Sequence, residues 1–146
     1  MDIGNIYNIK TSKGLGFLQL IKIPDSNNHV ELTRVFYELR DSVPENLNDI
    51  AFGDFFLLEF PIKAGIQQNV LQFVGNVDLP EGFVFPTFFR SENLFGPGWR
   101  IINVNGGQKV VEELNEQELR YSPYGVWNAP LLIENLENGW RLENWR

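Results

Sequence analysis

GNIYNIKTSKGLGFLQLIKI, residues 4–23, sets two apolar runs on either side of a Ser, a Lys and two Gly. Its centre, TSKGLGF at 11–17, has the composition of a loop that holds phosphate. A phosphate loop needs the order G-x-x-x-x-G-K-[ST] between a strand and a helix. In this chain Ser12 and Lys13 precede the glycines, and a second apolar run stands where the helix would begin. Without a helix N-terminus there is no fan of N–H groups to hold an anion. The flanks explain the stretch better. Ile6 and Asn8 alternate with Tyr7 and Ile9, and residues 15–23 continue as an apolar strand with polar Gln19 and Lys22. That is a hairpin pattern. Gly14 supplies a positive φ in the turn, and Gly16 permits a bulge or a close backbone approach.

Outward from this hairpin the same alternation returns. HVELTRVFYEL, 29–39, puts Val30, Leu32, Arg34 and Phe36 on one face and Glu31, Thr33, Val35 and Tyr37 on the other. PDSNN, 24–28, joins it to the hairpin as a run of turn formers. A loop with a short helical turn after Pro44 precedes the strand FGDFFLLEF, 52–60. Pro61 opens a short helix with Ile62 and Ile66 four apart, and VLQFVGNV, 70–77, is the fifth strand. Residues 79–98 read as an irregular loop whose Phe rings cover a barrel mouth or a sheet edge. Asn105-Gly106 between apolar runs predicts a tight hairpin over 99–111 that extends the sheet. Asn115 with Glu118 is a capping box. Asn128, Pro130 and Gly139 bracket a helix over 129–137, with Leu132, Ile133 and Leu136 facing the sheet. The expected fold is α+β and mainly β: a bent antiparallel sheet or small SH3-like barrel, with the C-terminal helix packed on it, in a single domain over 1–146.

The 146 residues are 43% hydrophobic and 14% aromatic, enough to build a core from rings. Lack of Cys excludes disulfides and thiolate chemistry. MDIGNIYNIK lacks a basic start followed by an apolar run, and no apolar stretch reaches membrane-span length, so a cytoplasmic protein without membrane association is expected. Nineteen acidic against twelve basic residues repel phosphate backbones, which argues against nucleic acid as partner.

Candidate chemistry is sparse. His29 is the only histidine, at a loop-to-strand boundary, and forms no readable triad or metal set. No calcium-type loop is present, and the paired Glu residues lie on single elements facing solvent together. No cofactor, metal or catalytic residue is expected. Residues 112–146 hold seven acids and three bases, a denser negative charge than the rest of the chain. A partner face is therefore expected at 112–128, with Tyr124 or Trp127 as apolar anchor amid Glu112, Glu113 and Glu116.

GNIYNIKTSKGLGFLQ is similar to the opening of small bacterial proteins resembling the immunity proteins of polymorphic and contact-dependent toxin systems. The matching positions are Gly4, Ile6, Tyr7, Ile9, Lys10, Thr11, Lys13, Gly14, Phe17 and Gln19. Arg34-Val35, Phe55-Phe56, Phe60-Pro61, Val74-Gly75, Pro86, Arg90, Trp127, Leu132, Glu134 and Gly139-Trp140 continue the likeness in order. Asn5 replaces an acid, and Ser122-Pro123 stands where Leu-Pro is the pattern. The resemblance implies a non-enzymatic protein that binds and neutralises a cognate toxin, such as a basic nuclease. A different class of function is a small-ligand or carboxylate-dependent hydrolytic domain with a pocket under the 80–98 loop.

Overall fold

A computed structural model describes residues 1–26 and 29–146; Asn27 and Asn28 of the PDSNN run lie outside the described residues. Strands β1 (Asn5–Thr11) and β2 (Gly14–Lys22) form an antiparallel hairpin closed by the pair Thr11–Gly14, so Ser12 and Lys13 make the turn. Gly14 has φ +132°, and a Cβ there would lie 2.8 Å from the Arg40 carbonyl oxygen. The pairing of β1 with β2 runs unbroken past Gly16. Gly16 serves close approach: its missing Cβ would sit 2.8 Å from Leu136 Cδ1.

Three further strands complete the sheet: β3 (Leu32–Phe36), β4 (Phe55–Glu59) and β5 (Leu71–Asn76). Their order is β4-β3-β2-β1-β5, antiparallel throughout. Strands β4 and β5 are its edges, so the sheet is open. Register shifts at Ile6/Tyr7 and Leu20/Lys22 mark bulges, which bend and twist a sheet.

Both faces are covered, as the alternation requires. Ile6, Phe17 and Phe36 pack with Ile50 of α1 (Asn48–Ala51). Tyr7, Ile9, Leu18, Leu20, Val35, Phe56 and Leu58 pack on the opposite side. There they meet Ile62 of α2 (Ile62–Gln67) and Leu132 and Leu136 of α3 (Ala129–Glu137). Each Leu or Phe so enclosed contributes about 1.5–3 kcal/mol. Helix α3 starts as its sequence implies: Asn128 Oδ1 accepts the Leu131 N–H at 2.9 Å, with Pro130 in the first turn.

The last hairpin departs from expectation. It does not extend the first sheet. Strands β7 (Trp99–Asn103) and β8 (Gln108–Val111) join β6 (Phe88–Glu92) in a separate sheet ordered β6-β7-β8. β6 lies within the stretch read as an irregular loop. Its buried positions are the consecutive Phe89 and Arg90, on opposite faces of the strand, so burial does not alternate and one buried site is charged. The hairpin turn spans 104–107, longer than the two-residue turn that Asn105-Gly106 suggested. Of the Phe rings in this region, Phe83 and Phe89 pack with Ile21 and Leu57, bringing the two sheets together.

Residues 122–126 stitch the sheets. Ser122 Oγ accepts the Leu57 N–H at 3.0 Å, while its carbonyl accepts the Arg90 N–H at 3.0 Å. Pro123 bridges Arg90 of β6, and Val126 bridges Glu59 of β4. No helix among the described residues is long and apolar enough to cross a membrane.

Candidate functional site

Strand β8 ends at Val111 and releases the chain into the acidic run, where Glu112, Glu113 and Glu116 are all exposed. Among the described residues none of the three forms an ion pair; the pairs that form involve other acids. Glu112 and Glu113 line a cleft of about 270 Å³ with Trp99, Leu114, Leu119 and Arg146. The Arg146 Nε–H is turned to the Glu143 carbonyl at 3.1 Å. The loop carrying these acids is anchored through Asn115 and Glu118. Asn115 N–H donates to Glu118 Oε1 at 3.0 Å, and Glu118 N–H donates to Asn115 Oδ1 at 2.8 Å. This is the reciprocal capping box, and it opens a 3₁₀ turn at Glu118–Arg120. Glu118 is buried and faces Lys109 of β8 at 3.6 Å, which ties the loop to the strand before it.

The structure separates the rings expected as anchors from these acids. Trp127 points into the first core, with its ring 5.5 Å from Phe56 and 5.1 Å from Trp140. Tyr124 is exposed, but its N–H donates to the Arg90 carbonyl at 2.7 Å. It therefore lies beyond the β6 edge, across the three-stranded sheet from β8.

A second cleft of about 340 Å³ is lined by Tyr37, Asp54, Phe55, Leu119, Arg120, Arg141, Leu142 and Glu143. One of its two cations, Arg141, is already engaged. Arg141 lies 2.6 Å from Glu143 and 3.6 Å from Asp54, with its guanidinium 4.3 Å above the Tyr37 ring. Burial raises the Tyr37 phenol above its ordinary pKa. Neither cleft is lined by residues 80–98. Glu59 is the carboxyl pushed upward, by burial first, with His29 opposing; it lines neither cleft. Among the described residues no three His, Asp or Glu side chains gather as a metal-ligating group.

Two arginines named in the sequence had been given no structural role, and both are buried. Arg34, 2% exposed, donates to Gln19 Oε1 at 2.7 Å and the Ala51 carbonyl at 2.8 Å, and lies 4.2 Å over Phe55. Its Nε has no partner among the described residues. Arg90, 0% exposed, donates to the carbonyls of Tyr121, Trp145, Leu119 and Leu142. Burial lowers both, Arg90 to about 10. Neither faces a carboxylate, so these two cations hold the fold rather than offset the surface acids. For Arg34 the signal was its place on an otherwise apolar alternating strand; Arg90 carried no such signal, because its strand did not show as one.

The TSKG turn is also resolved by geometry. Glu137 of α3 accepts the Ser12 N–H at 2.5 Å, so a carboxylate occupies the position a phosphate would need. No protein-family model, no curated protein and no solved structure matches this chain.

Proposed function

We propose that this chain is a non-enzymatic immunity-type protein, which neutralises a cognate bacterial toxin by covering a cationic surface such as the phosphate cleft of a nuclease. One observation carries the reading: Glu112, Glu113 and Glu116 are exposed together on a loop fixed by the Asn115–Glu118 box, and no cation of the described chain pairs with them. Unpaired carboxylates on a fixed loop complement a basic partner and accelerate encounter, an effect that salt weakens. The resemblance of the opening hairpin to immunity proteins supports the same class. No side chain is assigned a catalytic role in this reading. Arg141 in the larger cleft is paired within the chain, which leaves it poorly placed to hold a substrate.

The test begins with affinity purification from the native host and identification of the bound protein by mass spectrometry. Association with that purified partner is then measured for the native chain and for an E113K/E116K variant shown to be folded. The native chain should associate faster at low salt, and the two should converge at high salt. Equal on-rates at low salt would remove the acidic loop from the interface.

A further inference from the structure

The turn between β6 and β7 exposes two large apolar side chains at the end of the second sheet. Leu94 is 78% exposed and Phe95 is 95% exposed. Free chain ends and loose loops often expose such groups, but this turn is cross-braced. Asn93 Oδ1 accepts the Phe95 N–H at 3.3 Å, Asn93 Nδ2 donates to the Pro97 carbonyl at 3.1 Å, and the Asn93 N–H donates to the Gly98 carbonyl at 3.0 Å. Its foot is fixed against β8. Gly98 has φ +95°, and a Cβ there would run into the Val111 carbonyl and stand 3.1 Å from Glu112 Cα. The turn is thus a held projection, and its two apolar side chains find no cover on their own chain.

Its surroundings carry the sign of the partner. Glu92 pairs across to Trp99, and Trp99 to Val111, so the three strands end in one row. Exposed Glu92 stands at one side of that row and Glu112 and Glu113 follow its other end. None of these three acids forms an ion pair among the described residues. An apolar projection set in unpaired negative charge repels an anionic bilayer, a nucleic acid and a second copy of this acidic chain. It suits a protein with an apolar recess rimmed by Lys and Arg.

We infer that Phe95, with Leu94, is the apolar anchor of the partner interface, inserting into such a recess while Glu92, Glu112 and Glu113 face its basic rim. The inference rests on the acidic loop being partner-facing, and replaces Tyr124 and Trp127 as the source of the anchor. A backbone turn braced in advance loses little freedom on binding, and a large exposed aromatic carried on it suits an interface hot spot.

The test has two arms. In the first, a photo-crosslinking phenylalanine analogue replaces Phe95 in the full chain expressed in the native host, and the crosslinked species is identified. In the second, F95A and E112K/E113K, each shown to be folded, are titrated against the purified protein so identified, at low and high salt. F95A should weaken binding about 30-fold through faster dissociation and leave the salt dependence unchanged. E112K/E113K should slow association and flatten the salt dependence. Wild-type affinity in F95A with an altered E112K/E113K overturns the anchor and leaves the acidic face standing. Wild-type behaviour in both overturns the two together. Crosslinking only to lipid, to nucleic acid or to another copy of this chain also overturns the inference.

Discussion

The Arg90 guanidinium lies 4.3 Å over the Trp145 indole and donates to the carbonyl of that same residue at 2.6 Å. One side chain on β6 thereby holds the last residues of the chain, and its other donors reach Leu119, Tyr121 and Leu142. A guanidinium is suited to this task because its donors fan out in one plane. Removing it would orphan several partly buried carbonyls at once.

R90L is accordingly expected to destabilise the protein by about 3 kcal/mol, since each polar group left without a partner costs on the order of 1–3 kcal/mol. R90K keeps the charge but cannot span four carbonyls, and should recover only a part of the loss. Urea denaturation of the three proteins checks this. An R90L variant as stable as the native chain would show that the arginine is dispensable to the C-terminal segment.

Glu137 and Ser12 give a pH-dependent contact between α3 and the first hairpin. The Ser12 hydroxyl and then its amide hold the Glu137 carboxyl below the ordinary value of 4.5. A depressed acid adds stability that is present above 4.5 and lost as pH falls through the lower folded-state midpoint. The Ser12 amide resonance should therefore titrate with a midpoint below 4.5, and E137Q should abolish that titration. A Ser12 amide that titrates equally in E137Q would remove the contact.

The first hairpin was legible because its apolar alternation and its turn agree, and the structure places Gly14 at the positive φ the turn demands. Helix α3 was legible for the same reason: Asn128 and Pro130 mark its start, and Leu132 and Leu136 share its buried face. β6 was hidden because Arg90 sits where the pattern asks for an apolar residue, and the carbonyls that satisfy it come from residues 119–145. That compensation is tertiary and has no local sequence mark. The acids at 112–116 were visible as charge density. Their separation from Tyr124 and Trp127 depends on which edge of the second sheet each segment follows, and that sheet could not be drawn without β6.

G14A tests the closing of the first hairpin. The added Cβ meets the Arg40 carbonyl in a backbone conformation that L side chains rarely adopt. Strain of this kind costs on the order of 1–3 kcal/mol. A lowered urea midpoint with unchanged m-value is expected, and an unchanged midpoint would mean that the turn can adopt another conformation.

The Asn115–Glu118 box connects stability to the proposed binding face. N115A removes the acceptor for the Glu118 N–H and should cost about 1 kcal/mol, the usual worth of such a cap. E118A removes the other half of the box and also frees Lys109, its neighbour at 3.6 Å. The two substitutions act on one reciprocal pair, so their effects should be less than additive in a double-mutant cycle. Each also releases the segment that carries Glu113 and Glu116 from its fixed geometry. Binding to the purified partner should then weaken even where the carboxylates themselves are intact, with amide exchange increased across 112–117. Full partner affinity in a folded N115A/E118A chain with increased exchange would show that the acids need no fixed loop, and that their charge alone suffices.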